Sequence, residues 1–113
     1  MHLAFYAVHT PLQARADLLQ TMKTRHPERS GTAHKYGAML MAMDEAVGEV
    51  LAALERRDRP SVVVFASDNG GLGRIADNGP LRGSKGMLYE GGVRVPLSVR
   101  WDGDVHRAPP IIR

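Results

Sequence analysis

The chain has 113 residues, 43% of them apolar, which suffices for one domain with a core of its own. Its formal net charge is only +3 and its basic residues are scattered, which excludes the dense Lys/Arg run of a nucleic-acid surface. It has no cysteine, which excludes disulfides, thiolate zinc sites and a cysteine nucleophile; no apolar run reaches the roughly 18 residues that span a bilayer.

Leu3 to Val8 is short, apolar and aromatic, and reads as a buried strand that Pro11 terminates. Met1 to Tyr6 lacks the charged start and long apolar run of a secretion signal, so the sequence assigns no compartment. A short helix is expected from Ala14 to Met22, then a loop marked by His26-Pro27 and Ser30-Gly31. Thr32 reads as the N-cap of a long helix from about Ala33 to Arg57. Tyr36, Leu40, Met43, Val47, Val50 and Leu54 recur at steps of three and four, an apolar stripe at helical period. Arg59-Pro60 ends that helix.

Ser61 to Ala66 follows at once, β-branched and apolar, and reads as a buried strand. It stops at Ser67-Asp68-Asn69-Gly70-Gly71. Open α/β sheets place ligands at the carboxyl ends of their strands, so Asp68 and Asn69 stand where two oxygens could face a hard cation. Gly70 and Gly71 are expected to let the backbone turn away there. Residues 67 to 94 hold most of the twelve glycines, an irregular segment of a length that compact domains keep for function. Val95 to Trp101 returns to strand character, and the tail from Asp102 to Arg113 has no periodic pattern. Strand, helix, strand, loop, strand predicts an α/β fold with parallel strands joined by a right-handed crossover.

Two phosphate-binding patterns fail on inspection. Gly71-Leu72-Gly73-Arg74-Ile75-Ala76 fits a dinucleotide fingerprint, but Asp77-Asn78-Gly79-Pro80 leaves no room for the helix it must open. Gly79 to Lys85 has the wrong spacing for a P-loop. His2, His26, His34 and His106 have no partner at ligand spacing and read as surface or loop residues; Met39, Met41 and Met43 read as core filler.

Four segments carry a resemblance: Tyr6-Ala7-Val8-His9-Thr10-Pro11; the helix with Tyr36-Gly37-Ala38-Met39 and Met43 to Gly48; Val62 to Gly71; and Pro80-Leu81-Arg82-Gly83-Ser84-Lys85-Gly86-Met87-Leu88-Tyr89-Glu90-Gly91-Gly92-Val93-Arg94-Val95-Pro96. Together they resemble the type I, formylglycine-dependent sulfatases of the alkaline-phosphatase-like superfamily, over residues 3 to 101. The resemblance implies a partial sulfatase catalytic domain at residues 1–101, with a divergent or truncated tail at 102–113. It implies hydrolysis of sulfate esters with one Ca2+. By position, Asp68 and Asn69 match metal ligands, Lys85 matches a lysine on the sulfate group, and His9 matches a histidine near the leaving-group oxygen. The chemistry agrees: calcium takes hard oxygens, and a cation with a proton donor stabilises charge growing on the ester oxygen.

The chain also departs from that family. The Cys-x-Pro-x-Arg nucleophile motif, whose cysteine becomes formylglycine, is absent, as are an N-terminal Asp-Asp metal pair and a further lysine and histidine. Trp101-Asp102-Gly103 stands where Trp-Pro-Gly is usual. The isolated chain is therefore expected to be inactive. Two alternatives stay open: a phosphodiester or phosphonate hydrolase of the same superfamily, and a non-enzymatic fragment whose exposed strand edges need a partner chain or self-association.

Overall fold

The structure is a computed structural model describing residues 1–57 and 59–102. The chain divides into two compact units, Met1–Ala53 and Leu54–Arg113. Apart from Asp102, the expectations for the tail fall outside the described residues, as does that for His106.

In the first unit, α1 spans Ala16–Arg25. Asp17 in its first turn and Lys23 and Arg25 in its last complement the helix dipole. Helix α2 spans Gly31–Glu55. The hydroxyl of Ser30, not that of Thr32, accepts the Ala33 backbone N–H at 3.3 Å, so the helix starts earlier than the sequence suggests. The expected strand at Leu3–Val8 does not form; those residues are irregular and lead into a turn. Strands require partners, and none pairs with this segment among the described residues. Helices α1 and α2 are joined by the Arg15–Glu45 ion pair and by packing of the Met22 thioether on Gly37, whose missing Cβ leaves the space. His34 is buried rather than on the surface, and its Nε2–H donates to the His26 carbonyl at 2.7 Å. Leu18, Ala38 and Met39 complete this small core; Leu40, expected within the apolar stripe, is exposed.

In the second unit, β1 spans Val62–Ala66, and after the glycine-rich loop and one helical turn, α3 (Glu90–Val93), β2 spans Leu97–Trp101. The pair is antiparallel, with Val62 opposite Trp101, Val64 opposite Val99 and Ala66 opposite Leu97. The parallel crossover expected over α2 is not seen among the described residues, because Leu3–Val8 forms no strand; the loop and α3 return the chain beside β1 in the opposite direction. Opposite residues share a face, so one side of this ribbon is wholly apolar: Val62, Val64, Ala66, Leu97, Val99 and Trp101. The strands were expected to be buried, yet Val64 is 60% exposed and Val99 63%. Their composition suits a covered sheet, and nothing among the described residues of the unit covers them.

The far end of the ribbon is stapled. The Ser61 hydroxyl donates to Asp102 at 2.7 Å, and Arg100 donates to Asp102 at 2.7 Å and to Glu55 at 3.0 Å. The Ser61 hydroxyl first, then Arg100, holds the Asp102 carboxyl below the usual carboxylate range. An open depression of about 420 Å3 lies at this end, but its carboxylates already pair with Arg100 and it shares no residue with the glycine-rich loop.

Candidate metal and anion site

The carboxyl end of β1 is fixed by backbone bonds to the chain entering β2. Ser67 N–H reaches the Pro96 carbonyl at 3.4 Å, and Gly70 N–H reaches the Gly92 carbonyl at 2.9 Å. Between them the Ser67 hydroxyl donates to the Asn69 carbonyl at 2.8 Å, closing a tight turn that carries Asp68 outward. The glycines serve a purpose different from the one expected. Gly70 and Gly71 do not have positive φ; among the described residues Gly79, Gly83 and Gly86 do. Gly70 is needed because a Cβ there would collide with the carbonyl of Gly91. A Cβ on Gly91 would collide with the Gly83 carbonyl, and one on Gly92 with that of Met87. All three are buried, so this end of the loop is backbone packed on backbone.

Lys85 enters the same assembly through its main chain. Its N–H donates to the Gly71 carbonyl at 3.0 Å, just past the Asp68–Asn69 turn. The reversal before it uses positive φ at Gly79 and Gly83. Arg82 braces the exit: its guanidinium lies 4.0 Å from the centre of the Tyr89 ring and donates to the Tyr89 hydroxyl at 3.0 Å. Glu90 pairs with Arg94 at 3.5 Å along α3. Among the described residues, no ion pair engages Asp68 or Lys85.

Of the four residues singled out in the sequence, Asp68, Asn69 and Lys85 belong to one backbone-bonded assembly in the second unit. His9 belongs to the first. Its Nδ1–H donates to the Thr10 carbonyl at 2.8 Å, which leaves Nε2 uncommitted. The Tyr6 ring lies 5.5 Å from it, and the Tyr6 hydroxyl donates to the same carbonyl. The sequence reading missed Asn78, which makes three hydrogen bonds inside the loop; a lone Asn between Asp and Gly reads only as a turn residue.

The donor set fits calcium in kind. Asn69 Nδ2 donates to the Gly70 carbonyl at 3.0 Å, which leaves its amide oxygen as a candidate ligand, and Asp68, the preceding residue, is exposed. It falls short in number, because calcium takes about six to eight oxygens. Among the described residues no cluster of three or more His, Cys, Asp or Glu side chains could hold a metal.

An α/β unit with an acid–amide turn at a strand end and a glycine-embedded lysine bonded to it is now defined. Comparison with known proteins gives the lineage. The family model described as Sulfatase matches residues 1–110, and the chain belongs to that family. It is 37% identical to a sulfatase of Formosa agariphila over 113 residues, covering 90% of this chain and 20% of that protein. It is 38% identical to mouse arylsulfatase J over 97 residues (83% of this chain, 16% of that protein). Human arylsulfatase A is 39% identical over 90 residues, 74% of this chain and 17% of that protein. The chain thus spans about a fifth of the length of the curated relatives it matches. Among the described residues no helix is long and apolar enough to cross a membrane.

Proposed function

We propose that this chain carries part of the calcium and sulfate site of a sulfuric ester hydrolase. The observation that carries the reading is the hydrogen bond from Lys85 N–H to the Gly71 carbonyl, which ties the lysine segment to the turn bearing Asp68 and Asn69. A divalent cation at the turn and a lysine on the segment tied to it suit a monoanionic sulfate ester, whose bridging oxygen gains charge as the S–O bond breaks. Asp68 and Asn69 would supply two of the oxygens around Ca2+, which neutralises charge on the ester oxygens when bound. Lys85 would hold a sulfate oxygen, aided by neighbouring backbone N–H groups. His9, with Nδ1 donating to Thr10, would present Nε2 to the leaving-group oxygen and, when Nε2 also carries a proton, give that proton to it as the S–O bond breaks.

In the complete domain β1 would lie within an alkaline-phosphatase-like parallel sheet with a crossover helix. The bare apolar face of the ribbon supports this, since such strands are covered on both sides. The nucleophile would come from outside these residues, because the chain has no cysteine to become formylglycine. The sulfate ester is the expected partner molecule, and the remaining catalytic-domain sequence, or a second copy, is the expected cover for the ribbon.

Calorimetric titration of Ca2+ into the chain tests the site. Binding on the order of millimolar is expected, as suits a site with few protein oxygens, and Asp68→Asn should abolish it. Binding that survives Asp68→Asn removes the metal assignment. An aryl sulfate incubated with the chain and Ca2+ should show no turnover; turnover above blank refutes the missing-nucleophile account, and cleavage of an aryl phosphodiester instead points to phosphoryl transfer.

A further inference from the structure

The geometry points to Asn78 as the positioning residue that sets the spacing between the Asp68–Asn69 turn and Lys85, an inference resting on the reading of those three as one metal-and-anion site. Its carboxamide clamps the Gly71 peptide on both sides. Oδ1 accepts the Gly71 N–H at 2.9 Å, and Nδ2 donates to the Gly71 carbonyl at 3.1 Å. Nδ2 also donates to the Gly83 carbonyl at 3.3 Å. The Gly71 carbonyl is the same oxygen that accepts the Lys85 N–H. One planar side chain therefore ties the residue just past the metal turn to the segment just before the lysine.

A second observation stands apart from those bonds. A Cβ on Gly71 would come within 2.8 Å of Asn78 Oδ1 and 2.6 Å of the Ala76 methyl. Gly71 is therefore the residue that admits the carboxamide. Few other side chains can replace Asn78. Aspartate has the shape but no donor, and would set its charge against two carbonyl oxygens. Alanine would leave the half-buried Gly71 and Gly83 carbonyls short of partners.

Amide hydrogen exchange by NMR on the full 113-residue chain tests the clamp. In the unmutated chain the Asn78 side-chain NH2 should exchange about tenfold more slowly than a free carboxamide, in keeping with hydrogen bonds of ordinary strength. Exchange at the free rate overturns the proposal without any variant. In Asn78→Asp and Asn78→Ala, protection of the Gly71 and Lys85 amides should fall by about tenfold while Ala38 and Met39 in α2 keep theirs. Equal protection in variant and parent overturns it.

Sulfate titration followed at the Lys85 side-chain ammonium separates positioning from simple support. In Asn78→Asp the sulfate-dependent shift should be lost at a temperature where the amides of β1 and β2 are unchanged; a retained shift refutes positioning. If the parent chain itself shows no shift at Lys85, the site reading fails, and the exchange measurements still decide the clamp.

Discussion

The ribbon and the loop it encloses divide burial in opposite ways. The ribbon is mostly apolar, and among the described residues nothing covers one whole apolar face of it. The loop is built largely of glycine and polar residues, yet buries Gly70, Gly91 and Gly92 and returns hydrogen bonds to its own main chain. The difference teaches what each part needs from the rest of a domain. The loop carries much of its own specification, because Gly70, Gly71, Lys85, Gly91 and Asn78 bond one another's main chain or that of loop neighbours. The ribbon supplies material for a core that the described residues of the second unit do not build.

The contrast can be broken at its strongest point. Gly70→Ala or Gly92→Ala drives a methyl into a backbone carbonyl that cannot rotate away, and should cost about 3 kcal/mol. Urea unfolding followed by loop amide signals reads this; a loss below about 1 kcal/mol would show that the loop yields. Acid should loosen the ribbon's stapled end next. Asp102 titrates below its unfolded value because of Ser61 and Arg100, so its contribution is complete above about pH 4. It is lost as pH falls through the folded value. Thermal melts should be level from neutral pH to about pH 5 and decline below about pH 4. Asp102→Asn should flatten part of that decline; Asp17, depressed by Arg15, supplies another part. An unchanged acid limb in Asp102→Asn would remove the staple from the account. The smallest effect is expected on the apolar face. Val64→Thr should change stability by about 0.5 kcal/mol or less, because the side chain is already in water. Deuterium exchange should accordingly show the amides of Val62–Ala66 without core-like protection in the dilute chain, and strong protection there would mean the face is covered.

Much of this was legible in residues whose information is local. The long helix announced itself by apolar period and by its Arg59-Pro60 stop, and Val62–Ala66 by its β-branched run. The strand-end turn was legible because Asp and Asn bond nearby backbone where a β-branched run stops at glycines. Direction and burial were not legible. Whether two strands pair parallel or antiparallel depends on the path between them, and that path was set by glycine contacts and by Asn78, which carry no period. The first segment looked like a strand because Leu3 and Phe5 suit one, but a strand is decided by its neighbour. His34 was misjudged because its partner is a backbone carbonyl, which sequence spacing does not reveal.

The junction of Gly70 with Gly91 makes main-chain atoms, rather than side chains, the gauge of the loop's width. A frame of that kind can hold still while the residues projecting from it drift. Arg74, Met87 and Leu88 stand exposed on the loop, so their side chains can be replaced without touching the carbonyl contacts that hold the frame. Variation of the exposed side chains over a fixed backbone is then a natural outcome of making the scaffold from glycine.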